Sequence, residues 1–198
     1  MESYTIIRSN GGADWENANV LPISHPLFGS HTDVTAQAQL CYDKDAIYVR
    51  FRAKEKNIRR EHTQMLCEVC EDSCFEFFFS PMAQDIRYFN VEMNANGAYY
   101  LGFGDCFENL QRLIPENMPI GHEIQMTDDG WTLEYRIPCS FIRLFFPDFT
   151  PTPGSAIRAN CYKCAELAEP PYWLSWNPLP EGVTTFHSPR HFGIMYFG

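Results

Sequence analysis

The stretch Ala46-Ile47-Tyr48-Val49-Arg50-Phe51-Arg52-Ala53-Lys54 decides the fold class. Ile47, Val49, Phe51 and Ala53 share one face, and Tyr48, Arg50, Arg52 and Lys54 the other, because successive side chains of an extended chain point oppositely. One face is made for a core and the other for water. The same period of two recurs over residues 36–42, 75–79, 89–93, 122–126, 131–137, 157–163 and 192–196. No window of about a dozen residues carries a 3.6-residue period. The pattern predicts an all-β chain, an antiparallel β-sandwich with little helix.

Turn chemistry marks where the strands reverse. Asp43-Lys44-Asp45 separates two alternating segments, Asn96-Gly97 follows another, and Asp129-Gly130 opens the strand at Trp131. Asn-Gly and Asp-Gly tolerate the positive φ of tight hairpins. Pro138 ends the strand before it, because proline has no N–H for a ladder, and residues 141–146 read as a short helical turn. Two stretches read as long loops: 105–121, with Pro115 and Pro119, and 166–190, with five prolines and two tryptophans. No linker or repeat divides the chain, so residues 1–198 read as one domain.

Composition narrows the partners. A formal charge of -10 argues against nucleic acid and anionic membranes, which are approached through Lys and Arg clusters. A neutral ligand remains compatible. The first dozen or so residues have no apolar run of the signal-peptide kind, so the expectation is a soluble, cytoplasmic chain whose eight cysteines are reduced.

Within 166–190 the run Pro170-Pro171-Tyr172-Trp173-Leu174-Ser175-Trp176-Asn177-Pro178 concentrates three aromatics outside any evident core period. Flat aromatic faces suit the C–H faces of sugar rings, so Trp173 and Trp176 are candidate platforms. If Phe75, Phe77 and Phe79 point inward, Glu76 points outward, and by the same alternation so do Glu92 and Asn94 on the next strand. With Arg87, Arg158, Asn160 and Lys163 they form a candidate set of hydroxyl partners. Glu76 and Glu92 could also be weighed as a glycosidase pair, which needs two carboxyls at a set separation with one pKa raised. Nothing around them signals such a site, and no nucleophile elbow, phosphate loop or HExxH occurs, so the chain reads as a non-enzyme. Cys67-Glu-Val-Cys70, with Cys74, and Cys161-Tyr-Lys-Cys164 are two CxxC units that four thiolates of a zinc site could use. Their separation of about ninety residues is unlike a zinc ribbon, and Cys161 reads more simply as a small core residue.

The ordered succession Trp15-Glu16-Asn17-Ala18, Glu71-Asp72-Ser73-Cys74-Phe75-Glu76-Phe77-Phe78, Asn94-Ala95-Asn96-Gly97, Asp129-Gly130-Trp131-Thr132-Leu133-Glu134, Ala159-Asn160-Cys161-Tyr162-Lys163-Cys164, Ser175-Trp176-Asn177-Pro178 and Phe186-His187-Ser188-Pro189 resembles carbohydrate-binding modules of family 9 in their stand-alone form. The resemblance implies an immunoglobulin- or DOMON-like β-sandwich that binds mono- or oligosaccharides, glucan- or xylan-derived, without catalysis. It also implies two tryptophan platforms and loop-bound calcium. Carried across, Trp176 matches the later platform and Glu76 a polar contact. The stretch expected to hold the earlier platform, Met65-Leu66-Cys67-Glu68-Val69-Cys70, has no aromatic, which leaves Trp173, Tyr88 or Tyr100 to substitute. Calcium is the candidate ion, with Asp43, Asp45, Asp128 and Asp129 as donors, although it needs roughly six to eight oxygens and no contiguous set supplies them. The alternative function is a structural or protein-interaction sandwich that binds no sugar.

Overall fold

A computed structural model of the chain describes residues 1–114 and 120–198. Pro115 and Pro119 of the expected first loop lie outside the described residues. Fourteen strands follow one another: β1 (Ser3–Arg8), β2 (Val20–Ile23), β3 (His25–Pro26), β4 (Thr35–Tyr42), β5 (Ala46–Lys54), β6 (Cys74–Ser80), β7 (Tyr88–Asn94), β8 (Tyr99–Gly104), β9 (Gln111–Arg112), β10 (His122–Thr127), β11 (Gly130–Pro138), β12 (Ala156–Ala165), β13 (Tyr172–Ser175) and β14 (Gly193–Phe197). A short α-helix, α1 (Cys139–Arg143), follows Pro138.

The strands make a two-layer β-sandwich. One layer runs β10-β11-β5-β4, with β2 on the far edge of β4; the other runs β14-β12-β6-β7-β8-β9, with β13 and β3 extending beside β12. β1 joins them, pairing with β14 through Ser3–Ile6 and with β4 through Ile7 and Arg8, and both pairings are parallel. The sheet is therefore mixed rather than wholly antiparallel: one N-terminal strand threads between two layers that are otherwise hairpin-built.

Alternation sets the core. Phe75, Phe77 and Phe79 of β6 and Phe89, Val91 and Met93 of β7 face β5 and β11 of the other layer, and Phe51 stacks on Phe75 across the gap at 4.7 Å between centroids. The opposite faces of β6 and β7 are also covered. Phe78, Tyr88 and Tyr162 pack there under the turn segments that carry Phe186 and Phe192, and the Tyr162 and Phe186 rings stack at 4.0 Å. A strand covered on both faces reads as a nearly continuous apolar run, which explains Cys-Phe-Glu-Phe-Phe-Phe-Ser in β6.

The region 166–190 is not wholly a loop. β13 pairs with β12 in the register Tyr172↔Ala165, Trp173↔Cys164, Leu174↔Lys163 and Ser175↔Tyr162. Tyr172, Leu174 and Trp176 therefore point into the inter-layer core, while Trp173 points to the other side with Cys164.

Candidate functional site

Two rows of directly opposed residues cross the outer face of the larger layer. One runs Trp173–Cys164–Cys74–Asn94 and the next Ser175–Tyr162–Glu76–Glu92–Tyr100. Four strand spacings, about 19 Å of backbone, separate β13 from β8, so Trp173 and Tyr100 stand at opposite sides with Glu76 and Glu92 between them. This face opens into a cleft of about 620 Å³.

The Trp173 wall is assembled by hydrogen bonds from a distant turn. Leu27 N donates to Trp173 O (2.9 Å), Ser30 Oγ donates to the same carbonyl (2.9 Å), and Trp173 N donates to Ser30 Oγ (3.2 Å). These bonds seat Phe28 against the indole, edge-on at 5.9 Å, and Phe28 in turn stacks on Phe186. Phe28 has φ 54°, a left-handed conformation unusual for a bulky side chain. Trp173 is itself partly exposed, and its Nε1 donates to Glu166 Oε1 at 3.2 Å.

Tyr100 forms the other wall. The Arg112 guanidinium lies 5.1 Å over its ring and donates to Glu68 Oε1 at 2.5 Å and to Leu66 O at 3.0 Å. His187 closes the rim, its Nδ1 2.7 Å from the Tyr88 hydroxyl, and burial holds its pKa down to about 4.

The floor is made of two buried carboxyls. Glu76 and Glu92 are 2% and 7% exposed and directly opposed. Burial, then the neighbouring Cys164 thiol and Glu92, pushes the Glu76 carboxyl well above the usual range. Burial, only partly countered by the Asn90 amide, pushes Glu92 up to about 8. Neither has a Lys or Arg within ion-pair distance among the described residues. Asn90 Nδ2 donates to Glu92 at 2.6 Å, and Cys164 Sγ donates to Glu76 Oε1 at 3.1 Å.

Of the nine residues picked from the sequence, Trp173, Glu76 and Glu92 line this cleft. Trp176 does not: it is 5% exposed, packs edge-on against Tyr4, and lies over Gly193, where an added Cβ would come within 2.7 Å of its ring. The alternation from Tyr172 onward places it in the core. Lys163 is likewise on the core face, with Ile157, Ala159 and Cys161, and its Nζ lies 3.2 Å from Glu55 Oε2 with both side chains buried. Asn94, although on the right face, is used up: Nδ2 donates to His62 O and Asp72 Oδ2, and Oδ1 accepts from Asn96 N and Ala98 N. Asn160 is similarly spent on Asn177 and on Cys161 N. Arg158 donates to the carbonyls of Arg190 and Phe192, and Arg87 is held by Asp85 in a separate groove beside Phe146. Phe28, Phe186, Arg112, Glu68 and Glu166 were not singled out from the sequence, and Tyr100 only as a substitute platform.

Two of the oxygen donors considered for calcium are already engaged within the chain. Asp43 Oδ1 accepts from Asp45 N and Ala46 N, and its Oδ2 from Gly12 N and Tyr48 OH, so the carboxylate caps its own hairpin. Asp129 pairs with Lys54. The four-thiolate zinc site fails, because Cys161 and Cys164 lie three positions apart on one strand and so face opposite sides of it.

An aromatic wall, a tyrosine opposite it and a floor of buried carboxyls, set on one face of a two-layer sandwich, have the concave, mostly apolar form with a few polar groups that small-molecule sites share. The chain belongs to carbohydrate-binding family 9, whose family model matches residues 20–197. A candidate carbohydrate-binding protein from Bacteroides uniformis ATCC 8492 has the same fold at TM-score 0.86 and 22% identity, over 100% of this chain and 99% of that one. A family 9 module from Caldicellulosiruptor kristjanssonii, solved with cellotriose, aligns at TM-score 0.72 and 11% identity over 99% of this chain and 93% of its own. The same organism's family 9 module with glucose aligns at 0.72 and 12% identity over 100% and 96%. No curated protein sequence matches the chain.

Proposed function

We propose that this protein binds a mono- or oligosaccharide in the cleft between Trp173 and Tyr100, without catalysis. The observation that carries this reading is the pairing of a partly exposed indole with two buried, directly opposed carboxyls on one sheet face. An apolar ring face suits the C–H face of a pyranose, and carboxyls held near protonation both donate to and accept from hydroxyls. Glu166, Glu68 and Arg112 at the rim offer further polar partners. Family membership, and neighbours solved with glucose and cellotriose, support the same substrate class.

Covering about 80 Å² of apolar surface on the Trp173 indole is worth about 2 kcal/mol. Each hydroxyl hydrogen bond adds about 1 kcal/mol net. One platform and a few bonds correspond to a dissociation constant of roughly 0.1 to 1 mM. Hydrolysis with retention would need one of the two carboxyls ionised as a nucleophile. Burial instead pushes both toward the neutral form, which favours hydrogen bonding over attack. Calorimetric titration with glucose, cello-oligosaccharides and xylo-oligosaccharides tests the proposal. Saturable heat with unchanged sugar is the expected result, and no binding up to millimolar sugar across the panel overturns it.

A further inference from the structure

We propose that Cys74, Cys164 and Glu76 form a binding site for a borderline-soft divalent cation, zinc by its chemistry, in the floor beneath the cleft. This goes beyond the saccharide reading and does not depend on it.

The three side chains converge because of register. Cys74 and Cys164 are directly opposed on β6 and β12, and Glu76 stands two residues along β6 from Cys74, on the same face. Their Sγ, Sγ and carboxylate oxygen atoms all lie within 4.8 Å of one another, and all three residues are buried. Zn–S bonds of about 2.3 Å in a tetrahedron put two thiolate sulfurs about 3.8 Å apart, so only small side-chain shifts separate the present arrangement from a ligand set. Two thiolates and a carboxylate select zinc over calcium or magnesium, which require oxygen.

The charge balance points the same way. Glu76 is a buried carboxyl facing a second carboxyl, and its one hydrogen-bond partner among the described residues is the Cys164 thiol. A buried carboxylate ordinarily has a cation beside it or several N–H donors around it. Neither is supplied by the described residues, so burial keeps Glu76 neutral, and a divalent ion on the Cys164 side would provide the charge that lets it ionise. Glu76 also lines the cleft, which gives the ion a way in. Three protein ligands leave a fourth position for water or for the Cys70 thiol, which lines the same cleft.

The test uses the full chain, reduced and stripped of metal. Zn2+ titration is expected to give one ion per chain with a dissociation constant below about 1 µM. Co2+ in its place is expected to show intense visible bands of tetrahedral cobalt and a near-ultraviolet thiolate-to-cobalt charge-transfer band. Glu76→Gln and Cys164→Ser should each weaken Zn2+ at least about 100-fold, since even losing a partner behind a metal ligand costs ten- to a hundredfold. Cys67→Ala should bind as the parent does. Should Cys164→Ser fail to fold, alkylation of the parent chain with and without Zn2+, mapped by mass spectrometry, decides: protection of Cys74 and Cys164, with or without Cys70, upholds the site. Absence of Zn2+ binding, a cobalt spectrum without the thiolate band, or protection falling instead on Cys67 or Cys106 would overturn it.

Discussion

Glu76 and Glu92 stand directly opposite each other on neighbouring antiparallel strands, both buried, and neither has a Lys or Arg within ion-pair distance among the described residues. Like charges so placed repel, and burial adds a desolvation cost to each ionised form. The pair therefore holds its protons at a pH where free carboxyls have lost them, and this has consequences for stability as well as for binding.

Glu92 has a folded pKa of about 8 against an ordinary 4.5. A group raised in this way favours the folded state fully below 4.5, and the contribution is lost as pH rises through about 8. The wild-type melting temperature should thus fall between those two values with no metal present. Glu92→Gln keeps the acceptor for Asn90 Nδ2 and abolishes the ionisation. We expect the variant to match wild type near pH 5 and to exceed it by on the order of 2 kcal/mol near pH 8.5. Chemical denaturation at the two pH values reads this directly, and parallel profiles for the two proteins would refute the ionisation argument.

The two tryptophans three residues apart should behave oppositely. Trp176→Ala empties a core position against Tyr4 and Gly193 and should cost about 3 to 5 kcal/mol of stability. Trp173→Ala removes a partly exposed ring and should cost less than about 1 kcal/mol. It should nevertheless weaken saccharide binding by about 2 kcal/mol, or about thirtyfold. Unfolding curves and calorimetric titration of both variants separate platform from core residue, and a Trp173→Ala protein with undiminished affinity would move the site elsewhere.

That contrast also shows what was legible in the sequence. The period of two places β5 at residues 46–54 and puts Glu76 and Glu92 on the face away from Phe75 and Val91, as found. The same rule, carried through Tyr172, Leu174 and Trp176 and through Ile157, Ala159, Cys161 and Lys163, sends Trp176 and Lys163 inward. The prolines around the first run interrupt its alternation, and an inward-pointing lysine needs a buried partner, Glu55, that no local pattern supplies. Phe28, Tyr100 and Arg112 could not be read as lining one cleft with Trp173 by any local rule. They arrive through long-range contacts, such as the Ser30–Trp173 bonds that span 143 residues.

Phe28 tests whether backbone strain serves the cleft. Its φ of 54° is comfortable for glycine and costly for phenylalanine, yet its ring braces Trp173 and Phe186. In Phe28→Gly the relieved strain offsets part of the lost ring contact, so stability should change by less than about 1 kcal/mol. Saccharide affinity should still fall, by about three- to tenfold, because the indole loses its brace. Affinity equal to wild type would show that Trp173 needs no support from this turn.

Lys163 gives the strongest stability prediction, since its charge is buried between the layers. Its Nζ meets Glu55 Oε2 at 3.2 Å, Ser73 Oγ at 3.1 Å and Cys164 O at 3.1 Å, while Trp131 Nε1 also donates to Glu55 Oε2 and Tyr172 OH to Oε1. Burial by itself would raise the Glu55 pKa, but Lys163 and then the Ser73, Tyr172 and Trp131 donors outweigh it and hold the carboxyl below its ordinary value. The contribution is therefore present above an unfolded value of 4.5 and is lost as pH falls through the lower folded value. Lys163→Met leaves Glu55 charged and without its cation and should cost about 3 to 5 kcal/mol. Combining it with Glu55→Gln removes both charges and should recover most of that loss, because the desolvation of each ion disappears together with their attraction. A double-mutant cycle by urea denaturation near pH 7 measures the coupling. Strictly additive single and double losses would mean that the pair is not the electrostatic unit its geometry describes.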